Sequence, residues 1–114
     1  MLAPGPARKV IIHLNEDTSS KSGYLCDEIV ALLLGQGVAG ATVLRPAAGF
    51  GSHHRVHAPE GGPDTAQHMP VRIEFIDAPQ NIESLLPLLK ELVSDGVIEA
   101  HDTTILKVAD GTTR

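Results

Sequence analysis

The sequence predicts an α+β domain with the element order β-α-β-β-α-β, in which two helices cover one face of a four-stranded antiparallel sheet. Two amphipathic helical segments, four strand-like runs around them, and a polar glycine-rich stretch between the second and third strands support this fold. Two split β-α-β units with right-handed crossovers produce this arrangement. At 114 residues, the chain is expected to form one domain.

The first half of the chain supplies a strand, a helix and a second strand. Residues 1–7 contain two prolines and a glycine and are expected to be a disordered lead-in to a domain at 8–108. The run RKVIIHL at 8–14 is typical of a central strand buried on both faces. Apolar side chains then recur at helical spacing over 23–36, where Gly37 can end the helix, and ATVL continues as the second strand.

The second half supplies the remaining elements. The run PVRIEFID at 70–77 alternates apolar and charged residues, which is typical of a half-buried strand. Asp77 and the following Ala78-Pro79 indicate a helix start. This second helix is expected to end near Asp95-Gly96, and Pro87 inside it predicts a single, kinked helix. The last strand is expected at 97–108, and residues 109–114 are expected to form a flexible tail.

This arrangement leaves one face of the sheet without helices. Thr42, Ile76 and Ile98 are expected on that face, where they need a partner. Closed oligomerisation that buries the face or the edge strands meets this need.

Composition excludes several classes of function. The formal charge of −5 argues against a general nucleic-acid binder, which needs a dense basic face. The chain has no Trp, one Tyr and two Phe, too few for an aromatic platform that stacks single strands. Neither a signal peptide nor a membrane-spanning run is visible, so a cytoplasmic location is expected.

The residues make no case for an enzyme. A nucleophile paired with a base is not visible, and no pair of carboxylates has catalytic spacing. Cys26, the single cysteine, lies within the first predicted helix and is expected to be a small packed apolar residue. We therefore expect a non-catalytic protein with no cofactor.

The stretch ATVLRPAAGFGSHHRVH contains the candidate binding residues. Gly49 and Gly51 suit either a strand exit that needs small residues or a backbone that approaches an anion closely. Arg45 and Arg55 suit either surface salt bridges or a phosphate or carboxylate ligand. The residues alone leave both alternatives open.

Histidines form a second candidate site. His53, His57 and His68 lie in a glycine- and proline-rich stretch, where neutral imidazoles could bind a divalent metal. Recognised zinc motifs are missing, so hydrogen bonding within the loop or a ligand cleft is the alternative. The predicted loop extends over residues 50–69.

Several stretches together resemble an uncharacterised PII-like domain family, related to the nitrogen-regulatory PII signalling proteins. The similarity extends from about Lys9 to Leu106, and its fairly specific centre is the pattern GATVLR…GFG…RVH. The supporting stretches are HLNED near the start and MPVRIEFIDAPQNIESLLPLL after the loop. The resemblance implies a ferredoxin-like fold, a homotrimer, and a long mobile loop between the second and third strands.

The resemblance also implies a function. In PII proteins, effectors such as adenine nucleotides bind in clefts between subunits, and the loop engages a membrane transporter or an enzyme. Members of the resembled family are often associated with fluoride-channel-like proteins, which implies a membrane transporter or channel as partner. The implied ligand-binding residues are Arg45, Gly49, Gly51, Arg55 and His57 at the loop entrance, and Gly96 after the second helix.

The expected function is therefore that of a trimeric regulatory protein that binds a small anionic effector, such as an adenine nucleotide. Two alternatives come from other classes of protein. One is a divalent-metal-binding trimer that uses the loop histidines, and the other is an interaction module without a ligand.

Overall fold

A computed structural model describes residues 2–15, 18–20, 23–46 and 69–111. Its main sheet has the strand order β4-β5-β1-β6, every neighbouring pair is antiparallel, and β2 pairs with β3 separately. The predicted ferredoxin-like βαββαβ fold is confirmed, with a short extra β2-β3 hairpin. The elements are β1 Gly5–Asn15, β2 Ser19–Ser20, β3 Gly23–Tyr24, α1 Leu25–Gly35, β4 Ala41–Leu44, β5 Pro70–Asp77, α2 Pro79–Leu92 and β6 Val97–Ile105.

The core lies between the sheet and the two helices. Alternate residues of β1 and β5 are buried on the side that meets both helices, because successive strand residues point to opposite faces. Cys26 is among the buried residues, as predicted. The other buried residues that form this core are Val10, Ile12, Leu14, Leu25, Ile29, Leu33, Val71, Ile73, Phe75, Ile82, Leu85 and Leu89.

The predicted end of α1 and the predicted start of α2 are both confirmed. Gly37 has a φ of 78°, and its amide donates to the Leu34 carbonyl at 3.2 Å, while the Val38 amide donates to the Leu33 carbonyl at 3.1 Å. A left-handed glycine thus ends α1. Helix α2 starts at Pro79 and is a single helix that contains Pro87.

The start of α2 is fixed by a buried carboxylate. Asp77 is 5% exposed, and its Oδ1 accepts hydrogen bonds from the Ala78 amide at 2.7 Å and from Asn81 Nδ2 at 2.9 Å. These bonds compensate for removing the carboxylate from water and join the end of β5 to the first turn of α2.

Several sequence-based boundaries were wrong, including the end of α2, which lies at Leu92 and not near Asp95-Gly96. The strand β1 begins at Gly5, inside the predicted disordered lead-in, because residues 5–7 pair with residues 103–105 of β6. The strand β6 ends at Ile105, three residues before the predicted end, and residues 106–111 have no regular secondary structure.

The expected position of Ile98 was also wrong. It pairs with Ile12 in the β1–β6 register and packs against the core, so it lies on the helix-covered side. Because Val97 pairs with His13, and successive strand residues alternate between faces, Val97 faces away from the helices and Ile98 faces them.

The predicted loop at 50–69 lies outside the described residues except for Met69, which is buried. Within the described part of the chain, no helix has the length and apolar character that crossing a membrane requires.

Candidate functional site

On the face of the sheet opposite the helices, here called the open face, charged side chains lie in rows that run across the strands. Strand register places Arg72 beside His13 in the first row, and Lys9 beside His101 in the third. The row between them contains the carboxylates Glu74 and Glu99, separated by Ile11. Cationic or protonatable groups therefore flank a central row of carboxylates. The open face also carries Thr42, Leu44, Ile76 and Val97.

The prediction that β1 is buried on both faces was therefore only half right. Val10, Ile12 and Leu14 are buried under the helices, whereas Lys9 and His13 are partly exposed on the open face.

Glu74 is the centre of the first charge cluster. Its Oε1 lies 3.0 Å from Lys9 Nζ, and its Oε2 accepts a hydrogen bond from Arg72 Nε at 2.8 Å and another from Arg72 Nη2. The Arg72 guanidinium and then the Lys9 ammonium stabilise the ionised carboxylate, and they hold the pKa of Glu74 below its usual value.

Glu99 is the centre of the second cluster. One carboxylate oxygen lies 2.7 Å from His13 Nε2, and the other is hydrogen-bonded to His101 Nε2. The hydrogen bond from His101, followed by the one from His13, lowers the pKa of Glu99. All three side chains are partly exposed.

A cavity of about 440 Å³ that is largely open to the surface lies at the start of β4. This volume falls within the range of about 300–1,000 Å³ that small-molecule sites occupy. The lining combines apolar surface with the Lys9–Glu74 ion pair, which suits a ligand with an apolar ring system and a few polar groups. The residues that line it are Leu2, Lys9, Ala39, Gly40, Ala41, Thr42, Glu74, Phe75 and Ile76.

Arg45 and Gly96, two of the predicted ligand-binding residues, lie at the same end of the sheet but at opposite edges. Arg45 is exposed and directly follows β4, and Gly96 directly precedes β6. Strand spacings of about 4.8 Å put the two edge strands roughly 14 Å apart. Arg45 and Gly96 of one chain are therefore too far apart to hold the same phosphate group.

Gly96 has a structural reason to be glycine. Its φ is 148°, and a β-carbon at this position would lie 2.4 Å from the carbonyl oxygen of His13. Only glycine fits this close approach between the turn and β1 without a backbone shift.

The other predicted site residues lie outside the described part of the chain. These are Gly49, Gly51, Arg55 and His57, together with His53 and His68 of the alternative metal site. Within 2–15, 18–20, 23–46 and 69–111, no group of three or more His, Cys, Asp or Glu residues is arranged to hold a metal ion.

Sequence reasoning missed the residues that line the cavity. The alternation in PVRIEFID already indicated that Arg72 and Glu74 share a polar face. The run RKVIIHL was interpreted as buried on both sides, so Lys9 was not considered as a site residue. The two charged residues at the start of that run, Arg8 and Lys9, were a signal that the strand is not buried on both faces.

Residues 7–105 match the DUF190 family, described as "Uncharacterized ACR, COG1993". The fold resembles that of CPII, a nitrogen regulatory PII-like protein from Thiomonas intermedia K12, in a structure bound to ADP, AMP and bicarbonate. That similarity has a TM-score of 0.66 and 20% identity over 94% of each chain.

Two further structures show the same fold. The apo form of CPII matches with a TM-score of 0.57 and 18% identity, covering 90% of this chain and 95% of that one. A candidate PII-like signaling protein from Thermus thermophilus matches with a TM-score of 0.63 and 16% identity, covering 92% and 94%. At these identities the similarity establishes the fold.

Proposed function

The chain belongs to the DUF190 family, and on this premise we propose that it is a PII-like regulatory protein rather than an enzyme. Its effector is a small anion, an adenine nucleotide, bound between the subunits of a homotrimer. The observation that carries this proposal is the ligand-sized cavity at the start of β4, with an arginine at the other end of the same strand. The CPII structure with the same fold contains ADP and AMP, which supports the choice of ligand.

The cavity and Arg45 together suit a nucleotide in an extended conformation. Thr42 lines the cavity, and Arg45 follows three residues later, which corresponds to about 10 Å along an extended chain. A base in the cavity would meet apolar surface and the Lys9–Glu74 pair. Its phosphates would then extend toward the Arg45 guanidinium, whose planar fork suits phosphate oxygens.

The loop entrance supplies the other proposed contacts. In this proposal Gly49 and Gly51 let backbone amides approach the phosphates, and Arg55 and His57 add further donors. These assignments follow the sequence pattern at the entrance of the 50–69 segment.

Opposite edges of the sheet favour a site between subunits. Because β4 and β6 are the two edge strands, a cleft between β4 of one subunit and β6 of the next brings Arg45 of the first subunit near Gly96 of the partner subunit. A closed trimer contains three such clefts. It also provides a covering for the open face, which both helices leave exposed.

Regulation in this proposal acts through the segment 50–69. Nucleotide binding at the entrance of that segment changes its affinity for a partner protein, which we propose to be a membrane transporter or channel. A ligand shifts such an equilibrium only through its different affinity for the two states, so nucleotide and partner must alter each other's binding.

Calorimetry tests the proposed function. The full chain at about pH 8 is titrated with ATP, ADP, AMP and cyclic dinucleotides, and its mass is measured by light scattering in the same buffer. We expect saturable binding of an adenine nucleotide to a trimer. No heat and no thermal shift with any of these ligands at millimolar concentration would contradict nucleotide binding, and a monomer at every concentration would contradict the trimer.

A further inference from the structure

The two charge clusters of the open face differ in how they respond to pH. The cluster around Glu74 contains Lys9 and Arg72 but no histidine, and its cations hold the pKa of Glu74 below the usual value. The cluster around Glu99 instead contains His13 and His101, and histidine is the side chain that ordinarily gains a proton between about pH 8 and pH 5. The open face therefore has one constant and one pH-dependent cluster.

Neighbouring strands supply the remaining charges around these histidines. On the open face, β5 contributes Arg72 beside His13, and β1 contributes Lys9 beside His101. With neutral histidines, these two cations balance the carboxylates of Glu74 and Glu99. Protonation of both histidines leaves the described part of the face with two excess positive charges. The ion pair between Arg8 and Asp102 lies on the helix-covered side of the sheet, and its two charges cancel.

We propose that association of this chain with further copies of itself through the open face weakens on acidification, because the His13–Glu99–His101 cluster then gains positive charge. This inference rests on the proposed homotrimer and adds a regulation to it. Acidification then weakens nucleotide binding only through its effect on assembly, because the proposed nucleotide site lies between subunits.

Two physical effects act in the same direction. Bringing copies of the face together places like charges near one another, which is unfavourable when each copy is positive. Burial also removes the imidazolium groups from water, and the single Glu99 carboxylate between them compensates for one positive charge rather than two. When both histidines are neutral, the described part of the face has no excess charge, and neither cost arises.

Sedimentation equilibrium of the full chain, without nucleotide and at constant ionic strength, tests this inference. Between about pH 8 and about pH 5.5 we expect the dissociation constant of the assembly to rise at least about tenfold. The double variant His13→Gln/His101→Gln keeps amide groups that can hydrogen-bond Glu99 but cannot gain a proton. Its dissociation constant should change less than about twofold over the same range.

A matched control is His54→Gln, which removes a histidine that lies outside the described residues. This control should keep the pH dependence of the wild-type chain. If the double variant does not fold, as judged by circular dichroism, each single variant should lose about half of the logarithmic change in the dissociation constant.

An assembly equally stable at both pH values, or a double variant with the wild-type pH dependence, would overturn the inference. Both of these outcomes leave the proposed trimer and its nucleotide site intact. A chain that is monomeric at about pH 8 would overturn the inference and the trimer together, and the calorimetric titration would still decide nucleotide binding separately.

Discussion

Gly96 lies so close to His13 that a β-carbon on residue 96 would be 2.4 Å from the His13 carbonyl oxygen. This contact joins the turn after α2 to β1. Gly96 directly precedes Val97, which pairs with His13 in the β1–β6 register. Gly96, which the family resemblance predicts to be a ligand-binding residue, therefore has a role in the fold that is independent of any ligand.

Gly96→Ala is expected to destabilise the protein by about 1–3 kcal/mol, because alanine at this φ is strained and its methyl group meets backbone. The free energy of unfolding in urea measures the effect. Gly35→Ala is the matched control, since a β-carbon there meets nothing within 4 Å apart from its own helix backbone, and helix propensity favours alanine. Equal stabilities of the two variants would contradict the close contact.

The core between sheet and helices makes a second prediction. Ile29 of α1 is fully buried, so Ile29→Ala should reduce the free energy of unfolding by about 2–5 kcal/mol through lost burial and an unfilled cavity. Leu34 on the same helix is 80% exposed, and Leu34→Ala should change it by less than about 0.5 kcal/mol. A similar loss in both variants would mean that the helix packs through a different face.

The Glu74 cluster makes a prediction about acid stability. Folding lowers the pKa of Glu74 from its usual value of 4.5, because Arg72 and Lys9 stabilise the carboxylate. The unfolded chain therefore takes up this proton at a higher pH than the folded chain. The resulting stability is fully present above the usual value and is lost as pH falls through the lower folded value.

Glu74→Gln should accordingly reduce the free energy of unfolding at neutral pH by at most about 1 kcal/mol, since both cationic partners are partly exposed. The difference from the wild-type chain should shrink as pH falls below 4.5, and urea unfolding at a series of pH values measures it. A difference that grows in acid would contradict this assignment of the pKa shift.

The cavity at the start of β4 makes a prediction about the proposed base-binding end of the nucleotide site. Thr42 lines the cavity and is exposed on a strand, where phenylalanine is well tolerated. Thr42→Phe should fill this space and weaken adenine-nucleotide binding at least about tenfold with little change in stability. Thr104→Phe, exposed on β6, is the control and should bind as the wild-type chain does.

Local patterns in the sequence were sufficient to predict the fold. The helical spacing in α1 and α2, the left-handed glycine after α1, and the alternation in β5 each depend on neighbouring residues. The start of β1 could not be predicted from local patterns, because its first three residues become a strand through pairing with residues nearly 100 positions later.

The site was less accessible to sequence reasoning for a related reason. The contact between His13 and Glu99 joins residues 86 positions apart, and it exists only because β1 and β6 are neighbours in one register. The interpretation of β1 as buried on both faces hid Lys9 and His13, since an Ile-rich strand looks the same whether one or two faces are covered. Most residues of the predicted loop site lie outside the described chain.

The central claim is that a nucleotide extends from the β4 cavity to Arg45, and the affinity of Arg45→Ala for ADP tests it most directly. Calorimetry at about pH 8 should show ADP binding to the wild-type chain and at least about tenfold weaker binding to this variant. Arg8→Ala removes an arginine on the side of the sheet opposite the open face, and this control should retain wild-type affinity for ADP. Equal ADP affinities for Arg45→Ala and the wild-type chain would contradict the proposed site.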